Sequence, residues 1–400
     1  MKIAHIGDCH LGLGYPGPTP ESRLEDIENV MDFAAEYCIE HDVELVLFAG
    51  DAFKDSKVML DRAAIEIKAF ASWLRKLSEA EIPVGAISGT PSHDAIAAYD
   101  IIREMNIPGV EIVTNPAIVH IPAPSYSDNL SIVCLPGLNR SALATKEEFA
   151  GLTPRQMHQV MTEKIKQICW GLAAQCHGPK VLLSHMTFAG LDTGFDEMLM
   201  ASEPVLTPEA VVPFPLVCLG HIHKAQRTII SETNNLVVYC GSPDRLTFND
   251  EEVVPGFWVH DNFDGTHEFV ETPARRYLTI ERDIEPELMR EGLPVGHFYP
   301  DDIDQAKGAI VRVRITCTED QARLIDRKVI EKGLYDIGAF YVTEISLEVQ
   351  RQDRARNTEV TETVGPIEAV REWGAGQQLG AGEIEDLMTR TGDLLEEARV

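Results

Sequence analysis

Carboxylates and imidazoles fall at five places in this 400-residue chain, in an order that suits a metal centre. They are Asp8 and His10 in Gly7-Asp8-Cys9-His10, Asp51 after Gly50, and His93 with Asp94 in Gly89-Thr90-Pro91-Ser92-His93-Asp94. His185 after Ser184, and His221 with His223 in Gly220-His221-Ile222-His223, complete the set. Asp8 and His10 flank one residue, as do His221 and His223, so on extended backbone each pair points to one side. Mixed carboxylate and imidazole ligation suits Mn²⁺, Fe²⁺ or Zn²⁺ better than Mg²⁺ or Ca²⁺, which prefer all-oxygen shells. Two such ions ~3.5–4 Å apart clamp a phosphate and sharpen a water into hydroxide. Asp51 is suited to bridge them. The pattern points to a dinuclear centre and to hydrolysis of phosphate esters. His93, in a turn beside Asp94, could protonate a leaving oxygen or stabilise the transition state.

Four of the five segments follow an apolar run of strand length: Ile3–Ile6, Val43–Ala49, Val181–Leu183 and Val211–Leu219. Carboxylates and imidazoles at the C-terminal ends of several strands converge on one spot of an α/β sheet. Between the runs, helical spacing predicts helices from Thr19-Pro20-Glu21, near Leu60–Leu77, near Ala95–Met105 and over Pro154–Ala174. A β-rich stretch holds Ile118–Ile121, Ile132–Leu135, Leu216–Leu219 and Leu236–Cys240. Two stacked sheets with helices outside them account for this alternation. Beyond Pro273, strands Tyr277–Arg282, Ile310–Thr316 and Phe340–Val349 with a helix over Glu319–Lys332 predict a small α+β domain. A polar link (Gln350–Thr363) then leads to helices Pro366–Trp373 and Glu383–Ala398, with Gly374–Gly382 too rich in glycine to be helical. The expected division is 1–273, 274–350 and 351–400.

Any one of these histidines alone would more often be a packing or surface residue. Only their joint order argues for a metal. His5, His41, His120, His158, His177, His260, His267 and His297 are assigned to packing or surface. Eight cysteines without a CxxC pair sit mostly in apolar runs and read as reduced core residues. No stretch approaches the ~20 apolar residues of a membrane helix, and MKIAHIGDCH is already a strand, which predicts a cytoplasmic protein. The net charge of −29 argues against a surface coated for nucleic acid, though not against a local basic track.

The ordered segments resemble the calcineurin-like metallophosphoesterase superfamily and, within it, the SbcD-type nucleases of double-strand-break repair. Asp8-Cys9-His10-Leu11-Gly12 with Arg23-Leu24-Glu25-Asp26 resembles that family's first block. Tyr239-Cys240-Gly241-Ser242-Pro243-Asp244-Arg245-Leu246 with Gly256-Phe257 resembles the block after the last histidine pair. Pro273-Ala274-Arg275-Arg276-Tyr277 resembles the crossing into a DNA-facing cap. The resemblance implies a four-layer αββα sandwich with a small α+β cap and a helical C-terminal tail. It implies two divalent cations, most often Mn²⁺: one on Asp8, His10, Asp51 and His223, the other on Asp51, His185 and His221. His93 takes the place of the family's catalytic histidine. The family has Gly-Asn-His-Asp where this chain has Gly89-Thr90-Pro91-Ser92-His93-Asp94. Ser92, Thr90 or a water would then fill the asparagine's ligand position, and weaker or altered occupancy of the second metal is expected.

The resemblance also implies DNA as substrate, a homodimer, and a tail that grips an SbcC-like coiled-coil ATPase. Arg275, Arg276, Arg323 and Arg327 are candidate phosphate contacts, with a plain solvated helix face as the competing reading of the last two. Leu387, Leu394 and Leu395 give the last helix an apolar stripe to bind a partner or to fold back. The leading reading is a DNA exonuclease and endonuclease. The alternatives are a phosphoesterase for small molecules or phosphoproteins, and a nuclease-fold scaffold with weakened turnover.

Overall fold

The computed structural model describes residues 1–56, 60–92, 94–122, 129–138, 152–192, 204–261, 265–284, 295–350, 365–377 and 379–397. His93 lies outside them, so the role expected of it has no structural description. The first half alternates strand and helix: β1 (Lys2–Ile6), α1 (Pro20–Glu40), β2 (Leu45–Phe48), α2 (Leu60–Glu79), β3 (Val84–Ile87), α3 (Ile96–Glu104) and β4 (Val110–Val113). Then come β5 (Ala117–Ile121), β6 (Leu130–Leu135), α4 (Pro154–Ala173), β7 (Lys180–His185), the short strands β8 (Thr187–Phe188) and β9 (Val205–Leu206), and α5 (Pro208–Val211). β10 (Leu216–Gly220), β11 (Gln226–Ile230), β12 (Asn235–Tyr239), β13 (Gly256–Asp261) and β14 (Thr266–Glu271) complete the body.

Two six-stranded mixed sheets result, in the orders β14-β13-β1-β2-β3-β4 and β11-β12-β10-β7-β6-β5. In the first, β1 to β4 run parallel and β13 returns antiparallel beside β1. In the second, β12, β10, β7 and β6 are parallel. Their strands are apolar on both faces because both faces are covered. Ile3, Leu45 and Leu47 meet Ile132, Leu183 and Cys218 between the sheets. The opposite face of the first sheet packs on α1, α2 and α3 through Ile27, Phe70 and Tyr99. That of the second packs on α4 and α5 through Ile165, Cys169 and Val211. The expected four-layer αββα sandwich is therefore the fold.

Helix entry follows local chemistry. Thr153 and Gln156 cap α4 reciprocally, satisfying two backbone donors that the first turn would otherwise orphan. Thr19 precedes Pro20 at the start of α1 but makes no side-chain cap bond there.

Further strands β15 (Tyr277–Asp283), β16 (Ile310–Cys317) and β17 (Tyr341–Val349) pair in a three-stranded sheet. The helix expected over Glu319–Lys332 is two helices, α6 (Glu319–Ala322) and α7 (Arg327–Asp336). Asp326, a residue type that opens helices, stands at the second start. Arg323 and Arg327 thus do not lie one turn apart on a shared helix.

The tail forms α8 (Pro366–Gly376) and α9 (Ala381–Glu397). The expectation that Gly374–Gly382 excludes helix is corrected at both ends, since α8 runs to Gly376 and α9 starts at Ala381; at Gly374 a Cβ would come within 2.8 Å of Ile384 Cγ1. Glycine is used there for close helix approach. By contacts the chain divides into one unit of Met1–Ile280, Val295–Val313 and Arg327–Ile345, and another of Glu281–Pro294, Arg314–Asp326 and Ser346–Val400.

Candidate metal centre

Parallel strands that end together deliver the side chains. Asp8 and His10 follow β1, Asp51 follows β2, His185 is the last residue of β7, and His221 and His223 follow β10, whose Gly220 pairs with His185. Beyond β1 and β2 the two loops stay bound to each other. Asp8 N–H donates to the Gly50 carbonyl at 2.9 Å, and His10 N–H to that of Asp51 at 3.1 Å. Asp8, His10, Asp51 and His221 all have left-handed backbone, with φ of 54°, 51°, 50° and 94°. Residues other than glycine rarely accept that region, and strain of this kind collects at functional sites.

The strand ends approach so closely that two positions exclude a side chain. A Cβ on Gly89 would stand 1.8 Å from Asp51 Oδ1, and one on Gly220 would stand 2.2 Å from the Ala49 carbonyl oxygen. Both glycines are consequences of the crowding that makes the cluster.

Ligand atoms of Asp8, His10 and His223 lie within 4.8 Å of one another, as do those of Asp8, Asp51 and His185. His10 Nε2 faces His223 Nε2 at 3.2 Å. Asp51 Oδ2 is 3.8 Å from His10 Nε2 and 3.4 Å from His185 Nε2. Such separations suit atoms that each reach one cation at ~2.0–2.2 Å. His185 Nδ1 donates to the Ala49 carbonyl at 2.7 Å, which leaves the Nε2 lone pair for a ligand. Among the described residues that buried Nε2 makes no hydrogen bond of good geometry. Both convergent sets contain Asp8, and Asp51 Oδ2 stands between imidazoles of the two.

The electrostatics match. Burial raises Asp8 above its usual range, and the Asp51 carboxylate adds to the rise against His185 and His223. Burial alone would lower His185, but Asp51 and Asp8 hold it up to about 10, so a cation bound at Nε2 would release the proton that otherwise rests there. Buried carboxylates that need positive charge, facing imidazole nitrogen, fit divalent cations. His221 donates its backbone N–H to both Asp8 oxygens at 3.0 Å, and its ring packs edge-on to His185 at 5.3 Å.

Asp94, expected among the catalytic groups, is wholly buried and holds the loop. Its oxygens accept N–H bonds from Gly89 (2.7 Å), Phe53 (3.1 Å) and Ala95 (3.0 Å). Burial and the nearby Asp51 charge push it up to about 7 against those bonds. Thr90 contributes its backbone N–H to Asp51 Oδ1 at 2.9 Å, a contact its sequence gives no sign of. Ser92 is exposed on the same loop.

The block singled out after the histidine pair meets Arg23 and Asp26 of α1. Arg23 is fully buried and reaches Asp26 Oδ2 and Asp244 Oδ2, each at 2.6 Å. Arg275 clamps Asp26 with two nitrogens, at 2.8 and 2.6 Å, and lies over the Phe340 ring. Its guanidinium, expected to contact phosphate, is here engaged in an ion pair. Ser242 Oγ donates to the Asp8 carbonyl at 2.9 Å, so this block supports a ligand loop directly. Arg276 is exposed and bonds the Asp304 carbonyl, whereas Arg323, 70% exposed, pairs with Glu319 and Asp320. Arg327 is exposed at the start of α7.

Comparisons with known proteins add three findings. A curated relative, the DNA double-strand break repair protein Mre11 of Archaeoglobus fulgidus, is 32% identical over 111 residues, 27% of this chain. The match spans only 23% of that relative's length. Among solved structures, TT1561 of Thermus thermophilus is 12% identical with a TM-score of 0.40, covering 68% of this chain and 98% of that one. A dimetal phosphatase from Danio rerio is 10% identical with a TM-score of 0.40, covering 68% and 96%. No helix among the described residues is long and apolar enough to cross a membrane. The family model for calcineurin-like phosphoesterase matches residues 1–225, more than half of the chain and every strand that carries a ligand. On that match the chain belongs to the calcineurin-like phosphoesterase family.

Proposed function

We propose that this phosphoesterase is a Mn²⁺-dependent nuclease that hydrolyses phosphodiester bonds at DNA ends, as exonuclease and endonuclease, in a dimer with a coiled-coil ATPase. The observation that carries hydrolysis is the convergence of Asp8, His10, Asp51, His185 and His223 at one strand end. Two divalent cations held by these residues would supply charge neutralisation and an activated water. The chain's own part is to hold the imidazole lone pairs inward. Ala49 does this for His185, while the left-handed loops aim Asp8, His10 and Asp51. His93, one residue before the loop-holding Asp94, is the proposed donor to the leaving 3′ oxygen. DNA as the polymer is supported by the repair protein that matches part of this chain. The ATPase is supported by a tail whose Trp373 and Leu394 stay more than half exposed.

Nucleotide release from linear duplex DNA in Mn²⁺ tests the reading. Asp51→Asn should lose roughly 10²–10³-fold, the scale of removing one stabiliser of transition-state charge. His93→Ala should lose roughly 10²–10⁴-fold, the scale of general acid catalysis. Deletion of 365–400 should spare cleavage of a small phosphodiester and abolish ATPase association. A second reading, hydrolysis of small phosphoesters, is favoured by Arg275 being consumed by Asp26. Turnover of a small phosphodiester with no cleavage of DNA would select it.

A further inference from the structure

A second group of imidazoles lies on the same two sheets, where His5 and Cys218 stand three residues before Asp8 and His221. His5 on β1 and His260 on β13 share the face that packs against the other sheet, where Cys218 of β10 meets them. One ligand atom from each lies within 4.8 Å of the others, and all three residues are fully buried. Met1, Ile3, Leu216 and Trp258 belong to the same inter-sheet core, with the Arg227 guanidinium over the Trp258 ring at 5.4 Å. Among the described residues, both ring nitrogens of His5 and Nε2 of His260 make no hydrogen bond of good geometry, although the Leu219 backbone lies beside His5. An unsatisfied buried polar group costs ~1–3 kcal/mol, so three such atoms in one place call for an occupant. His260 Nδ1 meets His267 Nδ1 at 3.1 Å, the kind of outer bond that orients a ligating imidazole.

We propose that His5, Cys218 and His260 bind one borderline-soft divalent cation, Zn²⁺ first among them, as a structural metal between the two sheets. Two imidazoles and a thiolate suit zinc, whereas the carboxylate-rich strand-end centre also suits harder ions. The three atoms, within 4.8 Å of one another, would draw together to share a zinc at ~2.0–2.3 Å. Binding releases the Cys218 thiol proton to solvent, and the thiolate offsets one of the two metal charges. Burial pushes His5 down to about 3, so its imidazole is neutral and offers a lone pair. The ion would tie β1 and β13 to β10. β1 and β10 lead to Asp8 and His221 roughly 10 Å further on, at ~3.3 Å per residue, with His10 and His223 beyond them. Its effect on catalysis would be to fix the spacing of the two halves of the centre.

The test does not depend on which ester the enzyme cleaves. Full-length protein is produced in Co²⁺ medium and stripped with EDTA. The proposal expects one retained cobalt with a near-ultraviolet thiolate-to-cobalt charge-transfer band, unchanged in Asp51→Asn and lost in Cys218→Ser. A band that persists in Cys218→Ser would overturn it by placing the sulfur elsewhere, as at Cys9 or Cys240. Absence of both band and retained metal in the wild type would overturn it equally. X-ray absorption of the wild-type zinc protein needs no variant. One sulfur and two imidazoles in the retained ion's shell are expected, and a shell without sulfur would refute the site.

Discussion

The two imidazole groups of this sandwich differ less in residue type than in where the strand puts them. At the strand ends, Asp8, His10, Asp51, His185 and His223 sit where the chain leaves the ladder, and three of them adopt left-handed backbone. Carboxylates there raise His185 to about 10. In mid-strand, His5 and His260 are locked into ladder pairing with Trp258, Ile3 and their neighbours, no carboxylate belongs to the cluster, and burial lowers both. The first group gathers negative charge and so demands cations. The second gathers only lone pairs and one thiol. The position of a residue along a parallel strand therefore separates a centre built to meet an anionic ester from one suited to hold structure.

The sharpest way to break this comparison is to remove what supports the strand-end loops. Arg23→Ala would leave Asp244 and Asp26 buried with this partner gone from each. Breaking a buried pair on one side costs about 3–5 kcal/mol. Denaturant unfolding should show that loss, and unchanged stability would mean the network contributes nothing net. Gly89→Ala is subtler, because its Cβ would overlap Asp51 Oδ1 and push the carboxylate out of place. Activity or metal affinity should fall about 10–100-fold, the scale for disturbing groups that orient ligands. Stability should fall as well, because the same Cβ would stand 2.4 Å from the Asp51 backbone nitrogen, and full activity would show that Asp51 tolerates displacement.

The mid-strand group is sharpened by pH. Unfolded His5 takes a proton near the ordinary value of 6.5, whereas burial delays protonation of the folded residue to about 3. Between those values the unfolded state binds more protons, so stability present above pH 6.5 is lost as pH falls. One such group contributes a slope of up to about 1.4 kcal/mol per pH unit. Bound zinc would act in the same direction. His5→Leu should flatten the stability profile between pH 6.5 and 4, and an unchanged slope would mean that His5 titrates normally.

The strand-end centre was legible because each ligand follows an apolar run, and parallel strands that end together bring such residues to one place. Asp8, His10, Asp51, His185 and His223 needed no more than that. The mid-strand group was not, since His5, Cys218 and His260 interrupt apolar runs far apart in the chain, and only sheet pairing and stacking join them. The Arg275 ion pair was hidden for a related reason: a basic pair in a linker gives no sign that Asp26, on a distant helix, will meet it. The break between α6 and α7 was hidden because Leu324 and Ile325 continue a plausible helical pattern, and Leu324 is left 64% exposed.

The smallest expected effect concerns Arg323. Its partners Glu319 and Asp320 are as exposed as it is, so solvent screens the pairs and Arg323→Ala should change stability by no more than about 0.5 kcal/mol. If Arg323 contacts DNA phosphate, the same variant should weaken binding uniformly across sequences and reduce the slope of log affinity against log salt by about 1. Stability and salt slope thus separate a solvated helix end from a phosphate contact at one residue. An unchanged slope with unchanged stability would return Arg323 to the solvated surface and leave Arg276 and Arg327 as the exposed candidates of the original four.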